Sequence, residues 1–198
     1  MPISAKSPLE LPGVAAPLAT LVRAALASEG RRPGELGIVL TGDAPVRELN
    51  RRWRGLDRAT DVLAFSYDVP PGRFVNGDLI VSMDRVVEQA RRFRVSLGRE
   101  LARLVIHGAL HLAGLDHQTP LQRVRMRARE ARLSRAGAVQ VRALERALDR
   151  GTARATRDAR RRQRGPTRSF PPRTPGRPRT LRAAARSRRP RGADRRRN

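Results

Sequence analysis

Cysteine is absent from the 198 residues. That excludes disulfides and thiolate metal sites, so any transition-metal ion must be held by imidazole and carboxylate. Aromatic residues make up only 3% of the chain, which leaves few of the stacking platforms that read unpaired bases. No apolar run approaches the ~18 residues of a membrane-spanning helix. The opening MPISAKSPLELPG lacks the basic and apolar segments of a secretory signal. A cytoplasmic protein with no membrane partner is therefore expected. Lysine occurs once, at Lys6, so 42 of the 43 basic residues are arginine. A GC-rich coding sequence explains that skew as well as selection for phosphate-binding forks does.

What the chain has in excess is positive charge, a formal +25, which points towards polyanions such as nucleic acid. The excess is uneven. Residues 1–150 carry +9, whereas residues 151–198 carry +16. This last stretch is rich in arginine and proline and has almost nothing to bury, so it cannot offset its ordering entropy. The expected organisation is a folded domain over 1–150 and a disordered basic tail over 151–198. The tail is either an RNA-binding arm acting through counterion release or a weakly constrained extension.

Along the folded part, residues 15–29 place Leu18, Leu21, Val22, Ala25 and Leu26 at helical spacing before Gly30. ELGIVLTG (35–42) reads as a strand. Asp43 is placed to cap a helix through APVRELNRRWR, with Pro45 in its first turn. TDVLAFSYD and GDLIVSM read as strands joined by a VPPGRFVN loop. Asp84 is expected to cap the helix RVVEQARRFR, and Ser96 the helix LGRELARLVIHGALHLAGL. PLQRVRMRAREARLSRAG adds a strongly basic helix. The hairpin-like strand pair excludes a purely alternating doubly wound sheet and favours a small α+β domain, a mixed sheet packed with helices.

Every histidine lies in HGALHLAGLDH, residues 107–117. Four helical residues turn about 400° and rise about 6 Å, so His107 and His111 share one face of the central helix. Gly114 lets the helix end in a left-handed turn that returns His117 towards the same point. Three neutral imidazoles leaving a vacant position match a catalytic rather than a structural zinc site. The pattern resembles the zinc-protease signature, but Gly108 stands where those proteases carry their general-base glutamate, which makes peptide hydrolysis improbable.

HGALHLAGLDH resembles more closely the signature of the YbeY family, bacterial ribosomal-RNA maturation endoribonucleases. LNRRWRGLDRATDVLAF (49–65) is similar to that family's block of Asn, aromatic, Arg, Asp and Thr-Asp-Val-Leu-Ser-Phe, with Ala64 in place of the serine. GDLIVS (77–82) resembles its following strand, and MRARE matches a Met and a Glu on its last helix. The similarity covers roughly residues 35–135, in order.

The resemblance implies one zinc ion on His107, His111 and His117, with Arg54 in the place of the family's functional arginine. A guanidinium there suits the chemistry, since it clamps phosphate and offsets transition-state charge. Asp116 either orients an imidazole or completes the turn. Asp61 and Asp78 are expected to be structural. The implied substrate is single-stranded ribosomal RNA, matured near the 3′ end of the small-subunit molecule, with the ribosome or small-subunit proteins as partners and ribosome quality control as the wider role. Two other readings remain at this point: a non-catalytic, zinc-stabilised ribosome assembly factor, and a metal hydrolase acting on another substrate.

Overall fold

The computed structural model describes residues 3–6, 11–67 and 73–163. Its elements are β1 (Ser4–Lys6), α1 (Ala15–Ser28), β2 (Arg32–Thr41), α2 (Asp43–Arg54), β3 (Val62–Ser66), β4 (Phe74–Ser82), α3 (Met83–Phe93), α4 (Leu97–Leu112), α5 (Pro120–Ala136) and α6 (Ala138–Gln163). The four strands form one mixed sheet in the order β1-β2-β4-β3, with β1, β2 and β4 parallel and β3 antiparallel to β4. The fold is α+β, as the strand pair in the sequence suggested.

Period-two alternation divides the sheet between two cores. Leu36, Ile38 and Leu40 of β2, with Leu79 and Val81 of β4, join the large core that holds α1 and α4. Ile80 and Leu63 turn the other way, onto Val46 and Leu49 of α2. Helix α4 is the hub. Its Leu101, Leu104, Val105, Ile106 and Leu110 are fully buried, and α1, α3, α5, α6, β3 and β4 all pack on it.

Several boundaries differ from those read in the sequence. Strand β2 begins at Arg32 and β4 at Phe74, so part of the expected VPPGRFVN loop is strand. Parallel pairing of Arg32 with Phe74 and Pro33 with Val75 extends both strands across a register shift. Asn76 bridges that irregularity, its side-chain oxygen accepting the Glu35 N–H at 2.6 Å. The short strand β1 has no signal in the sequence.

Two helix caps are also redistributed. Ser82, not Asp84, caps α3, its hydroxyl accepting the Arg85 N–H at 3.3 Å. Gly42, not Asp43, is the N-cap of α2. The Asp84 carboxylate instead accepts the Asp43 N–H at 2.8 Å, and the Asp43 carboxylate accepts from the Ser82 hydroxyl at 2.6 Å. The reason is tertiary. Thr41 and Ser82 are register partners at the ends of parallel strands, so the helices that follow start side by side and Asp84 of α3 caps α2. Ser96 caps α4 as expected, and Thr119 with Gln122 forms a reciprocal capping box before Pro120 on α5.

Helix α6 continues past residue 150 to Gln163. Residues 164–198, which carry most of the expected basic tail, lie outside the described residues. No helix among the described residues is long and apolar enough to cross a membrane.

Candidate metal centre

Helix α4 presents His107 and His111 one turn apart on a half-buried face. It stops where glycine permits. Gly114 takes φ +98°, its N–H bonds the His111 carbonyl at 2.9 Å, and the Leu115 N–H bonds the Leu110 carbonyl at 3.0 Å. This left-handed reversal returns His117 to the other two. One ligand nitrogen from each of the three rings lies within 4.8 Å of the others. The Nε2 atoms of His107 and His111 approach to 3.2 Å.

The rings are held from behind. Nδ1 of His107 lies 2.7 Å from Oε1 of Glu130, a carboxylate on α5 that is only 8% exposed. An Nδ1–H donated to this carboxylate leaves the Nε2 lone pair facing the other imidazoles, an arrangement characteristic of metal-bound histidine. His111 titrates below the usual histidine range because it is partly buried and because His107 and His117 add positive charge; a hydrogen bond with the Leu115 backbone acts the other way. Neutral imidazole is the form that ligates, so the same burial keeps a ligand ready for a cation. A single divalent ion with a preference for nitrogen fits this donor set.

Asp116 is committed to the turn. Its carboxylate accepts the His117 N–H at 2.7 Å and the Gln118 amide at 2.6 Å. Gly108 faces the sheet, and a Cβ added there would lie 2.8 Å from Leu79 Cδ2 and 3.2 Å from Val62 Cγ2. A side chain in the place of the proteases' glutamate would have to displace the buried Leu79 side chain. That explains the glycine by packing, and it supports the absence of the protease base.

Arg54 is the last residue of α2 and is exposed. Among the described residues its side chain makes no hydrogen bond or ion pair, so the guanidinium is available. The loop after it is pinned from both sides. Gly55 turns left-handed at φ +68°, Asn50 donates to the Arg58 carbonyl at 2.8 Å, and Arg47 grips Asp57 through two bonds of 2.7 and 2.8 Å. Asp61 accepts from its own loop, from Val62 N–H at 2.9 Å, and from Gln89 at 3.1 Å. Asp78 accepts the Tyr67 hydroxyl, and this bond with burial pushes the phenol up to about 12. Both carboxylates are thus held by hydrogen bonds within the fold.

In the sequence Glu130 stands within MRARE with no sign of its role, and nothing local gives Gln89 or Arg103 a part in the site. Arg103 donates to the buried Glu100 at 2.6 Å and to Gln89 at 2.9 Å, and reaches Glu130 at 3.9 Å. A polar chain thus runs from Asp61 through Gln89 and Arg103 to Glu130 and His107. Its links join residues far apart in sequence, and only the spacing of Glu100 and Arg103 was visible as a helical pair.

Comparison with known proteins bears on this site. The family model described as Endoribonuclease YbeY matches residues 12–136. The chain is 47% identical over 120 residues to an endoribonuclease YbeY of Anaeromyxobacter sp. (strain Fw109-5), covering 60% of this chain and 62% of that protein. It is 41% identical over 134 residues to the Anaeromyxobacter dehalogenans (strain 2CP-C) protein of the same name, covering 67% and 69%. For the Roseiflexus castenholzii protein the figures are 46% over 126 residues, 57% and 79%. The chain thus spans slightly less than two thirds of the Fw109-5 relative. The matched segment contains Arg54, all three histidines and Glu130.

Proposed function

The chain belongs to the endoribonuclease YbeY family, and on that premise we propose that it is a metal-dependent endoribonuclease cleaving single-stranded RNA. The observation that carries the reading is the convergence of His107, His111 and His117, with His107 locked by Glu130. Three protein ligands leave coordination positions for substrate and water, which a structural site does not. When bound, a zinc ion supplies Lewis-acid activation of water or of a phosphoryl oxygen.

The chain's own residues supply the rest. Arg54, unpaired and exposed beside a pinned loop, is suited to hold a phosphodiester through two parallel hydrogen bonds and to offset charge as the bond breaks. The folded part carries few aromatics, so backbone charge dominates recognition and intrinsic base preference is weak. Selectivity then comes from context: maturation near the 3′ end of small-subunit ribosomal RNA and ribosome quality control, in the cytoplasm, with the ribosome or its small-subunit proteins presenting the strand. The arginine-rich residues beyond the folded domain act as an accessory that raises local RNA concentration.

The test is incubation of the full-length protein with matched single-stranded and duplex RNA, with and without chelator, beside a His111→Ala control. Chelator-sensitive cutting of the single strand alone, lost together with most bound metal in the control, is the expected result. A control that keeps its zinc sinks the ligand assignment. A metal-replete wild type that cuts nothing, even with ribosomal subunits added, turns the reading to a zinc-stabilised assembly factor.

A further inference from the structure

Behind the metal centre lies a cavity of about 890 Å³ between α3, α4, α5 and α6. It shares only the Glu130 side of the histidine cluster, the side remote from the converging Nε2 atoms. Its α5 wall is one helical face, with Arg127, Glu130, Ala131, Ser134 and Arg135 at three- and four-residue spacing. Its α6 wall is another: Ala138, Val141, Arg142 and Glu145. The α6 wall lies beyond the residues matched by the family model, which ends at 136, so this cavity is not contained in the matched segment.

The lining has two chemistries. Phe93, Val95, Ala131, Ala138 and Val141 make an apolar surface, and Phe93 is 57% exposed. Five arginines face three glutamates across it. The glutamates are already engaged. Glu100 and Glu130 are paired with Arg103, and Glu145 accepts the Ser96 hydroxyl. Arg99, Arg127, Arg135 and Arg142 make no side-chain hydrogen bond or ion pair among the described residues. Four uncommitted, exposed guanidiniums around a pocket of ligand size with an apolar wall suit a compact molecule with an anionic end and an apolar body.

We propose that this cavity binds a nucleoside phosphate, its base against the apolar wall and its phosphates on the free arginines. The cavity's position behind Glu130 separates it from the face on which a substrate phosphodiester meets the metal ligands, so the occupant is a second ligand and not the scissile strand. The site is independent of whether the metal centre cleaves RNA.

The experiment is titration calorimetry of the full-length protein, with chelator present, using adenosine diphosphate as probe and adenosine as the uncharged comparison. Saturable binding of the diphosphate is expected, with far weaker binding of the nucleoside. Two variants locate it: Arg99→Ala with Arg142→Ala, and Ala131→Trp, which fills the cavity from an exposed position without changing charge. The arginine pair should weaken binding at least about tenfold, the loss that follows from one charge-assisted hydrogen bond, and Ala131→Trp should weaken it by occupying the space, whereas His111→Ala should leave it unchanged. Circular dichroism confirms that the variants are folded. Absence of saturable binding, or binding that survives both variants, overturns the proposal, since the second result is the general attraction of anions to a chain of charge +25.

Discussion

Glu130 shows how one side chain sets the state of a site it does not ligate. Its carboxylate fixes which nitrogen of His107 carries the proton and how the ring is turned. Losing such an outer partner costs roughly 10–100-fold in metal affinity. Glu130→Ala should therefore weaken zinc binding within that range in a competition assay with a chromophoric chelator, while keeping the three ligands; unchanged affinity would show that the contact is incidental. Tyr67 offers a second check at this scale. It is the only tyrosine, so its ionisation is read directly from ultraviolet absorbance. A phenol raised from 10 to about 12 stays protonated in the folded protein where the unfolded chain would already have lost its proton. The stabilisation is complete below pH 10 and is lost as pH rises through about 12. Asp78→Asn should bring the titration back towards the ordinary tyrosine range.

At the scale of elements, α4 carries the site and α6 braces α4. Their crossing depends on Gly98, where an added Cβ would stand 2.5 Å from the Glu145 backbone nitrogen and 2.9 Å from its Cα. Backbone atoms cannot swing aside as a side-chain end does, so the helices must separate. Gly98→Ala gains up to ~1 kcal/mol in helix propensity, but overpacking of this kind costs roughly 1–3 kcal/mol. A net loss of stability is expected in urea unfolding, and a variant as stable as the wild type would show that the crossing is looser than described. The Asp84 cap on α2 and the bond from the Ser82 hydroxyl to Asp43 work at the same scale, tying the starts of the two helices to the ends of parallel strands.

For the whole molecule the dominant quantity is charge. With +25 over 198 residues, binding to RNA must fall steeply with salt. Removing residues 164–198 takes away a large part of that excess and leaves α6 whole. The shortened protein should bind single-stranded RNA with a shallower dependence of log K on log salt and should still cut it at low salt. Loss of cutting at every salt concentration, with metal content intact, would make the arginine-rich segment part of the catalytic machinery instead of an accessory.

What the sequence determined by itself is what depends on neighbours along the chain. The four-residue step from His107 to His111 and the left-handed freedom of Gly114 are local, and they suffice to gather three imidazoles. The two-residue alternation in β2 and β4, the Ser96 cap and the α+β class follow for the same reason, since helical and strand periods are written in adjacent residues. The tertiary structure decided whatever joins residues remote in the chain. Glu130 reaches His107 across 23 positions and Asp84 caps α2 across 41. Pairing with β4 extends β2 beyond its own strand-like residues, and the Leu79 and Val62 side chains of the sheet crowd the position of Gly108. These contacts depend on packing that brings separate elements together, and no periodicity within one element encodes it.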